Sequence, residues 1–329
     1  MKKKIIYPII WSVLLLGLAI LPWCNVSQYV IHLMIYSFIW VILASGLNII
    51  QGYAGYVSLG HAAFYAIGAF TSGLIFNNTN LPFLLCIVIA AVAGFVFGTL
   101  IGLPTLRIRG HYFAIATLAV TLLVSALINN LNGLTGGTEG TVLRKISGNF
   151  FGLDLTTRNG YYYFALIFAI VAIVFVYLLV RSRYGRAIIS IRENEDLAEA
   201  TGINTTKIKR LAFNLSAIFA CVAGALYAHY MNYLNPTPFT SDTGMDTVLA
   251  VMSGGFGTVA GPAIGAFIVN WLPEVLRIAE DYRQLLLGGM LIVIVFFMPN
   301  GIVGIGKSIM SKIKTRAGER KNNRGVEIK

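Results

Sequence analysis

Gly301, Gly306, Lys307 and Ser308 complete the pattern G-x-x-x-x-G-K-S, which in a soluble α/β domain cradles phosphates with backbone N–H groups and a lysine. That chemistry needs a strand before the loop. Here the match follows Phe296, Phe297, Met298 and Pro299 at the end of an apolar stretch, so it reads as a helix leaving a membrane into a basic anchor. His32 and His61 fall within apolar stretches, where an ionisable group is a candidate for proton transfer. Two lone histidines with almost no buried acids nearby fit better as neutral rings hydrogen-bonded to a neighbouring helix. Cys24, Cys86 and Cys221 have no paired spacing and sit among apolar residues, which favours small buried hydrophobes over a disulfide framework or a zinc site. No catalytic, cofactor-binding or metal-ligating set emerges, and the chain reads as a non-enzyme.

The elements that must position these residues follow from composition. Hydrophobic residues make up 57% of the 329-residue chain and charged ones 12%, and the mean hydropathy is +0.76, so water is not its main solvent. A bilayer core of about 30 Å takes roughly 20 apolar residues as helix, because only a helix satisfies every backbone group within one segment in lipid. Eight stretches qualify: 5–21, 29–50, 54–76, 82–103, 112–131, 161–180, 209–231 and 284–303. The first follows Lys2, Lys3 and Lys4 as a signal peptide would. Leu21, Pro22, Trp23 and Cys24 lack the small residues of a cleavage site, so it reads as a retained helix. A ninth apolar region, 247–278, is interrupted by Gly254, Gly255, Gly257, Gly261 and Pro262, which predicts two shorter helices joined by a bend.

Lysine and arginine orient the spans. With the N-terminus in the cytoplasm, the inner segments hold Lys2 to Lys4, Arg107, Arg109, seven cations between Arg181 and Arg210 and eight between Lys307 and Lys329, which is 20 of 25. Arg144, Lys145, Arg158, Arg277 and Arg283 stay outside. The net charge of +12 is thereby explained as membrane topology, and nucleic-acid binding is set aside. Parity then requires 247–278 to leave from and return to the outside, as a re-entrant element or, preferably, a hairpin of two spans. The expected architecture is an all-α polytopic membrane protein of about ten transmembrane helices. A membrane domain over 1–306 carries a cytoplasmic loop at 181–210 and an extracellular loop at 132–160, and a basic cytoplasmic tail follows at 307–329.

Within the cytoplasmic loop, residues 194–202 read as a short capped helix. Asn194 suits the N-cap, Glu195 and Asp196 complement the positive end of the dipole, and Gly202 suits a left-handed stop. Two turns are marginal in water unless something packs on them. Leu197, Ala200 and Thr201 share a face small enough for a partner groove, although a solvated connector would carry the same spacing. The glycine-rich segments 46–60 and 254–262 interrupt helices in both halves of the chain, and broken helices of this kind can line a transport path. Gly52, Gly55, Ser58, Gly60, His61, Gly254, Gly255, Gly257 and Gly261 are the candidates for that path. Gly94, Gly98 and Gly102, four residues apart, read instead as a close helix contact.

Several blocks resemble one known family. Gly185, Arg186 and Ala187, then Ile191 to Glu195, Gly202, Ile203, Asn204, Lys207, Lys209, Ala212, Phe213 and Ala223 to Tyr227 resemble the coupling-loop region of LivM-type branched-chain amino-acid ABC permeases. Gly46 to Asn48, Gly52 to Gly55, Ser58 to Phe64 and Ala66 to Ala69 are similar to that family's early membrane signature, as are Thr135 to Gly140, Gly254 to Thr258, Gly261 and Pro262 further on. The likeness covers about residues 30–305. It implies a type II ABC importer-like permease in a bacterial inner membrane, paired with a homologous permease, two ATPase subunits and an extracytoplasmic solute-binding protein. ATP is then bound by the ATPases and by no site in this chain. The resemblance assigns ATPase coupling to Arg192, Glu193, Asn194, Glu195, Leu197, Ala198, Ala200, Gly202, Ile203 and Asn204, although the loop does not spell Glu-Ala-Ala-x-x-x-Gly. The implied cargo is leucine, isoleucine or valine. Relatives that import urea, amides or other small solutes leave the substrate open, and an ion-coupled carrier or a passive channel are the readings from other classes.

Overall fold

A computed structural model describes residues 17–275 except 19, 24, 25, 109, 147, 148, 151 and 152, together with 288, 289, 301, 302 and 304. The expected spans 5–21 and 284–303, the phosphate-loop match and the basic tail lie outside the described residues, apart from isolated positions.

Ten principal helices are described: α1 (Gln28–Asn48), α2 (His61–Asn78), α3 (Phe83–Thr105), α4 (His111–Asn130), α5 (Arg158–Arg181), α6 (Arg183–Glu193), α7 (Glu195–Ala200), α8 (Thr205–Met231), α9 (Ser241–Gly254) and α10 (Gly261–Val275). Their ends carry the chemistry expected of helix termini. Ser27, Thr157, Ser182, Asn194 and Asn204 each cap the following helix through a side-chain oxygen that accepts a backbone N–H. Among the described residues, five helices are long and apolar enough to cross a membrane, with α1 counted through its π-type extension to Tyr53.

α1 and α8 form the centre. In each, 78% of the most apolar stretch is buried, against 28%, 22% and 33% for α3, α4 and α5, whose outer faces present Leu100, Leu123 and Leu178. α8 packs along α2 and α3 and against α1, while α5 and α10 close on the other side of α1. The approach is close because small residues sit at the crossings. A Cβ added at Gly224 would lie 1.9 Å from the Tyr65 carbonyl oxygen, and one at Gly68 2.1 Å from that of Cys221. Gly94, Gly98 and Gly102 face residues 213–221 of α8, in agreement with their reading as a helix contact.

Two departures from the sequence reading matter. The expected span 54–76 begins as helix only at His61: α1 continues through the π-type turn Ile49–Tyr53, and 54–60 run irregularly before α2. Gly55, at φ +81°, and the free backbone groups there stop a helix that hydrophobicity alone would have continued. The loop at 181–210 also holds an eleven-residue helix, α6, in which Ile188 and Ile191 are buried. The described part of the region, 247–275, forms, as expected, two short helices on either side of a glycine-rich turn at 255–260. On the face opposite α6 and α7, Thr141–Val142 pairs antiparallel with Tyr233–Leu234, and Asn149–Phe150 with Leu153–Asp154.

Candidate functional site

The site lies where α6 and α7 meet two helix breaks. At the end of α1 the Ala54 N–H bonds to the Ile49 carbonyl and the Tyr56 N–H reaches back to that of Ile50, so the Gly52 carbonyl loses the Tyr56 partner a continuing α-helix would supply. Arg192 Nη1 takes its place and donates to Gly52 O at 2.7 Å. Asn48, one turn earlier, accepts from the Gly257 N–H at 3.0 Å through Oδ1 and donates to the Thr258 carbonyl at 2.9 Å through Nδ2. Asn48 thus holds the end of α1 against the turn between α9 and α10, and Arg192 ties the end of α6 to the same place. The glycines make the approach possible, since a Cβ on Gly52 would stand 2.6 Å from Gly257 N, and one on Gly257 2.7 Å from Arg192 Nη1.

A second tie anchors the loop. Glu195 Oε2 accepts from the Tyr56 hydroxyl at 2.6 Å, and Oε1 pairs with Lys209 Nζ on α8 at 2.7 Å. The ammonium also stands 5.6 Å from the centre of the Tyr56 ring. The Lys209 and Glu195 side chains are only 8% and 18% exposed, so the two charges compensate each other in a largely buried place. A cavity of about 260 Å³ opens beside this cluster, between 54–57, Gly110, His111 and the end of α6.

The short helix forms much as its sequence dictates. The Asn194 side chain caps it by accepting from the Leu197 N–H at 2.9 Å, and Gly202 stops it at φ +86°. Ala198 is buried and turns toward the rest of the protein, whereas Leu197 is 62% exposed and Ala200 and Gly202 are exposed as well. The outward face is therefore the one carrying Leu197, Ala200 and Thr201; Ala198 belongs to the inward one. Glu193 and Asn204 are exposed, Asn204 capping α8, and the Ile203 N–H bonds to the Ala198 carbonyl.

The candidates from the glycine-rich segments divide into groups. Gly52, Gly55 and Gly257 join the contact with Arg192, and a Cβ on Gly254 would stand 1.8 Å from the Gly261 carbonyl oxygen across its own turn, which Gly255 shares. Ser58 and Gly60 lie apart, beside α4. There Thr117 accepts from the Leu59 N–H at 3.0 Å, and Thr121 donates to the Leu59 carbonyl at 3.0 Å, so freed backbone groups are met by side chains. His61 Nε2 lies 3.1 Å from Ser216 Oγ, and His32 Nδ1 lies 2.7 Å from the Tyr230 hydroxyl, each a link to α8. Sequence reasoning left Asn48, Tyr56 and Lys209 out of the candidate site. A signal existed for two of them, since an asparagine inside an apolar span and a lysine at the start of one both need a named partner.

The arrangement joins three parts of the chain: the end of α1, the end of α6 and the turn between α9 and α10. A family model described as branched-chain amino acid transport system / permease component matches residues 29–295. The high-affinity branched-chain amino acid transport system permease protein LivM of Salmonella typhimurium is 30% identical over 90% of this chain and 74% of its own length. LivM of Escherichia coli is 31% identical over 89% and 74%. The permease protein LivH of Salmonella typhimurium, from the same kind of system, is 25% identical over 80% and 91%. No solved structure matches the chain.

Proposed function

The chain belongs to the family of branched-chain amino acid transport permeases, and from this we infer that it is one of two homologous membrane subunits of an ATP-driven importer of leucine, isoleucine and valine. It is a multi-pass membrane protein. Pairing with a second permease is supported by relatives of two kinds, LivM and LivH, matching the same chain. In the proposed complex two ATPase subunits bind and hydrolyse ATP on the cytoplasmic side, and a solute-binding protein delivers cargo on the other.

The observation that carries the coupling role is the geometry of α7, a capped helix tied to the membrane core by Glu195 that turns an unburied Leu197 away from it. Charge supports placing this face in the cytoplasm. Among the described residues, Arg107, Arg181, Arg183, Arg186, Arg192, Lys207, Lys209 and Arg210 lie toward it, against Arg144, Lys145 and Arg158 on the opposite face. α9 and α10, of 14 and 15 residues, run about 21 and 22 Å, and their turn reaches the level of Arg192. That favours a hairpin of two spans and, with the apolar stretches at 5–21 and 284–303, a total of ten spans in a 1–306 membrane domain of type II-like architecture. Both termini are then cytoplasmic, as is the 307–329 tail, in the plasma membrane of a bacterium.

Reconstitution tests the reading. The chain, a homologous permease, two ATPases and the binding protein in liposomes are expected to take up labelled leucine, isoleucine and valine only with ATP inside the ATPase compartment. Uptake that follows an imposed ion gradient without ATP overturns the coupling mechanism, and uptake of urea or an amide in place of the three amino acids overturns the substrate.

A further inference from the structure

We propose that Arg192 is the positioning residue that converts displacement of the α6–α7 loop into movement of the two helix breaks, by fastening the loop to the joint between Gly52 and Gly257. The proposal rests on the reading of α7 as the ATPase contact and adds how that contact reaches the membrane core.

Arg192 is engaged differently from three other cations of the loop. Arg181 lies over the Tyr177 ring, Arg186 donates to the Arg181 carbonyl and Lys209 is held by Glu195, so each is engaged within or beside its own element. Arg192, at the end of α6, reaches across to a carbonyl that the break in α1 has released. Its side chain also lies against both breaks. A Cβ on Gly55 would stand 3.0 Å from Arg192 Cγ, and one on Gly257 2.7 Å from Nη1. Asn48 then carries the same joint onward, because it bonds to both Gly257 and Thr258. The path from α6 through Arg192 to Gly52, and from Asn48 to the α9–α10 turn, consists of direct hydrogen bonds. A charged donor on a carbonyl is directional, so a shift of α6 pulls on the break where backbone groups lack helical partners.

The arrangement also separates this role from anchoring. Glu195, Tyr56 and Lys209 hold the loop in place through a largely buried ion pair, whereas Arg192 is exposed beyond its bond to Gly52. Its truncation leaves no buried charge behind, only the Gly52 carbonyl without its donor, so folding and docking should survive it.

The test uses the full complex in liposomes and reads three quantities for each variant: ATPase co-purification, ATP hydrolysis stimulated by the loaded binding protein, and leucine taken up per ATP hydrolysed. Arg192→Ala is expected to keep the first at the wild-type level and to lower uptake per ATP by about tenfold, within the usual range of coupling between distant sites. Arg192→Lys, which can still donate to Gly52, is expected to restore part of the ratio. Gly257→Ala, which crowds the guanidinium and also strains a backbone held at φ +65°, should lower the ratio as well. An unchanged ratio in both Arg192→Ala and Gly257→Ala overturns the proposal. Loss of the ATPases from an inserted Arg192→Ala permease also overturns it, by making Arg192 a docking contact. Failure of the underlying reading is distinguishable, since it shows as ATPases that stay bound and fully coupled when the outward face of α7 is blocked by Ala200→Arg.

Discussion

Lys209 carries its charge into an environment where its side chain is 8% exposed, and Glu195 is the acid placed to meet it. Removing one member of a largely buried pair leaves the other uncompensated, which costs about 3–5 kcal/mol when both are fully enclosed. Glu195 retains 18% exposure, so the lower end applies. Glu195→Gln is expected to destabilise the purified permease pair by about 3 kcal/mol. The double variant Glu195→Gln, Lys209→Met should recover at least half of that, because no unpaired charge remains. Thermal unfolding of the four proteins of this cycle provides the measurement, and a double variant no better than the single one would show that the loss did not come from an uncompensated Lys209. The same scale explains His61: with Ser216 within hydrogen-bond distance of Nε2 it reads as an interhelical tie, and proton transfer is unnecessary to account for it.

At the scale of the element, α7 is six residues long and would not hold together alone in water. It persists because Asn194 caps it, Gly202 ends it and Ala198 is buried beneath it. Ala198 and Ala200 stand on different faces of α7, one buried and one exposed, so an arginine at each has a different effect. Ala200→Arg is expected to leave the permease folded and to release the ATPases, as read by co-purification. Ala198→Arg drives a long cation into the packed side and should lower the yield of folded permease before docking is tested. Gly202→Pro requires φ near −65° where the chain stands at +86°, so it should undo the stop and resemble Ala200→Arg in its loss of ATPases. Wild-type co-purification and transport for Ala200→Arg and Gly202→Pro together would make α7 a connector.

For the whole molecule, the outer faces of α3, α4 and α5 keep Leu100, Leu123 and Leu178 about 60% exposed along helices of high hydropathy. Such a surface suits acyl chains or another apolar helix, and a bilayer supplies the first without any partner. The distribution of cations then predicts the orientation. A fluorescent protein fused after residue 329 is expected to fold in the cytoplasm and glow, while a periplasmic phosphatase at the same position stays inactive. A dark fluorescent fusion with an active phosphatase inverts the topology and moves α7 away from any cytoplasmic ATPase.

The sequence by itself determined that this is a membrane protein and approximately placed the described spans 29–50, 82–103, 112–131, 161–180 and 209–231, because hydrophobic run length is a local property that lipid reads directly. It also determined both ends of α7, since Asn194 and Gly202 act within one turn of themselves. The order of the helices around the centre was beyond it. α1 and α3 are both apolar on every side, yet α1 is buried and α3 is peripheral, and no periodicity separates two such helices. The start of α2 at His61 was hidden for a related reason. An apolar run continues through 54–60, and contacts such as those of Leu59 with Thr117 and Thr121 make an irregular backbone tolerable there. Most of all, the meeting of Gly52, Arg192 and Gly257 spans residues far apart in the chain. Each is an ordinary glycine or arginine in its own segment, and their common site exists only because α1, α6 and the α9–α10 turn fold against one another.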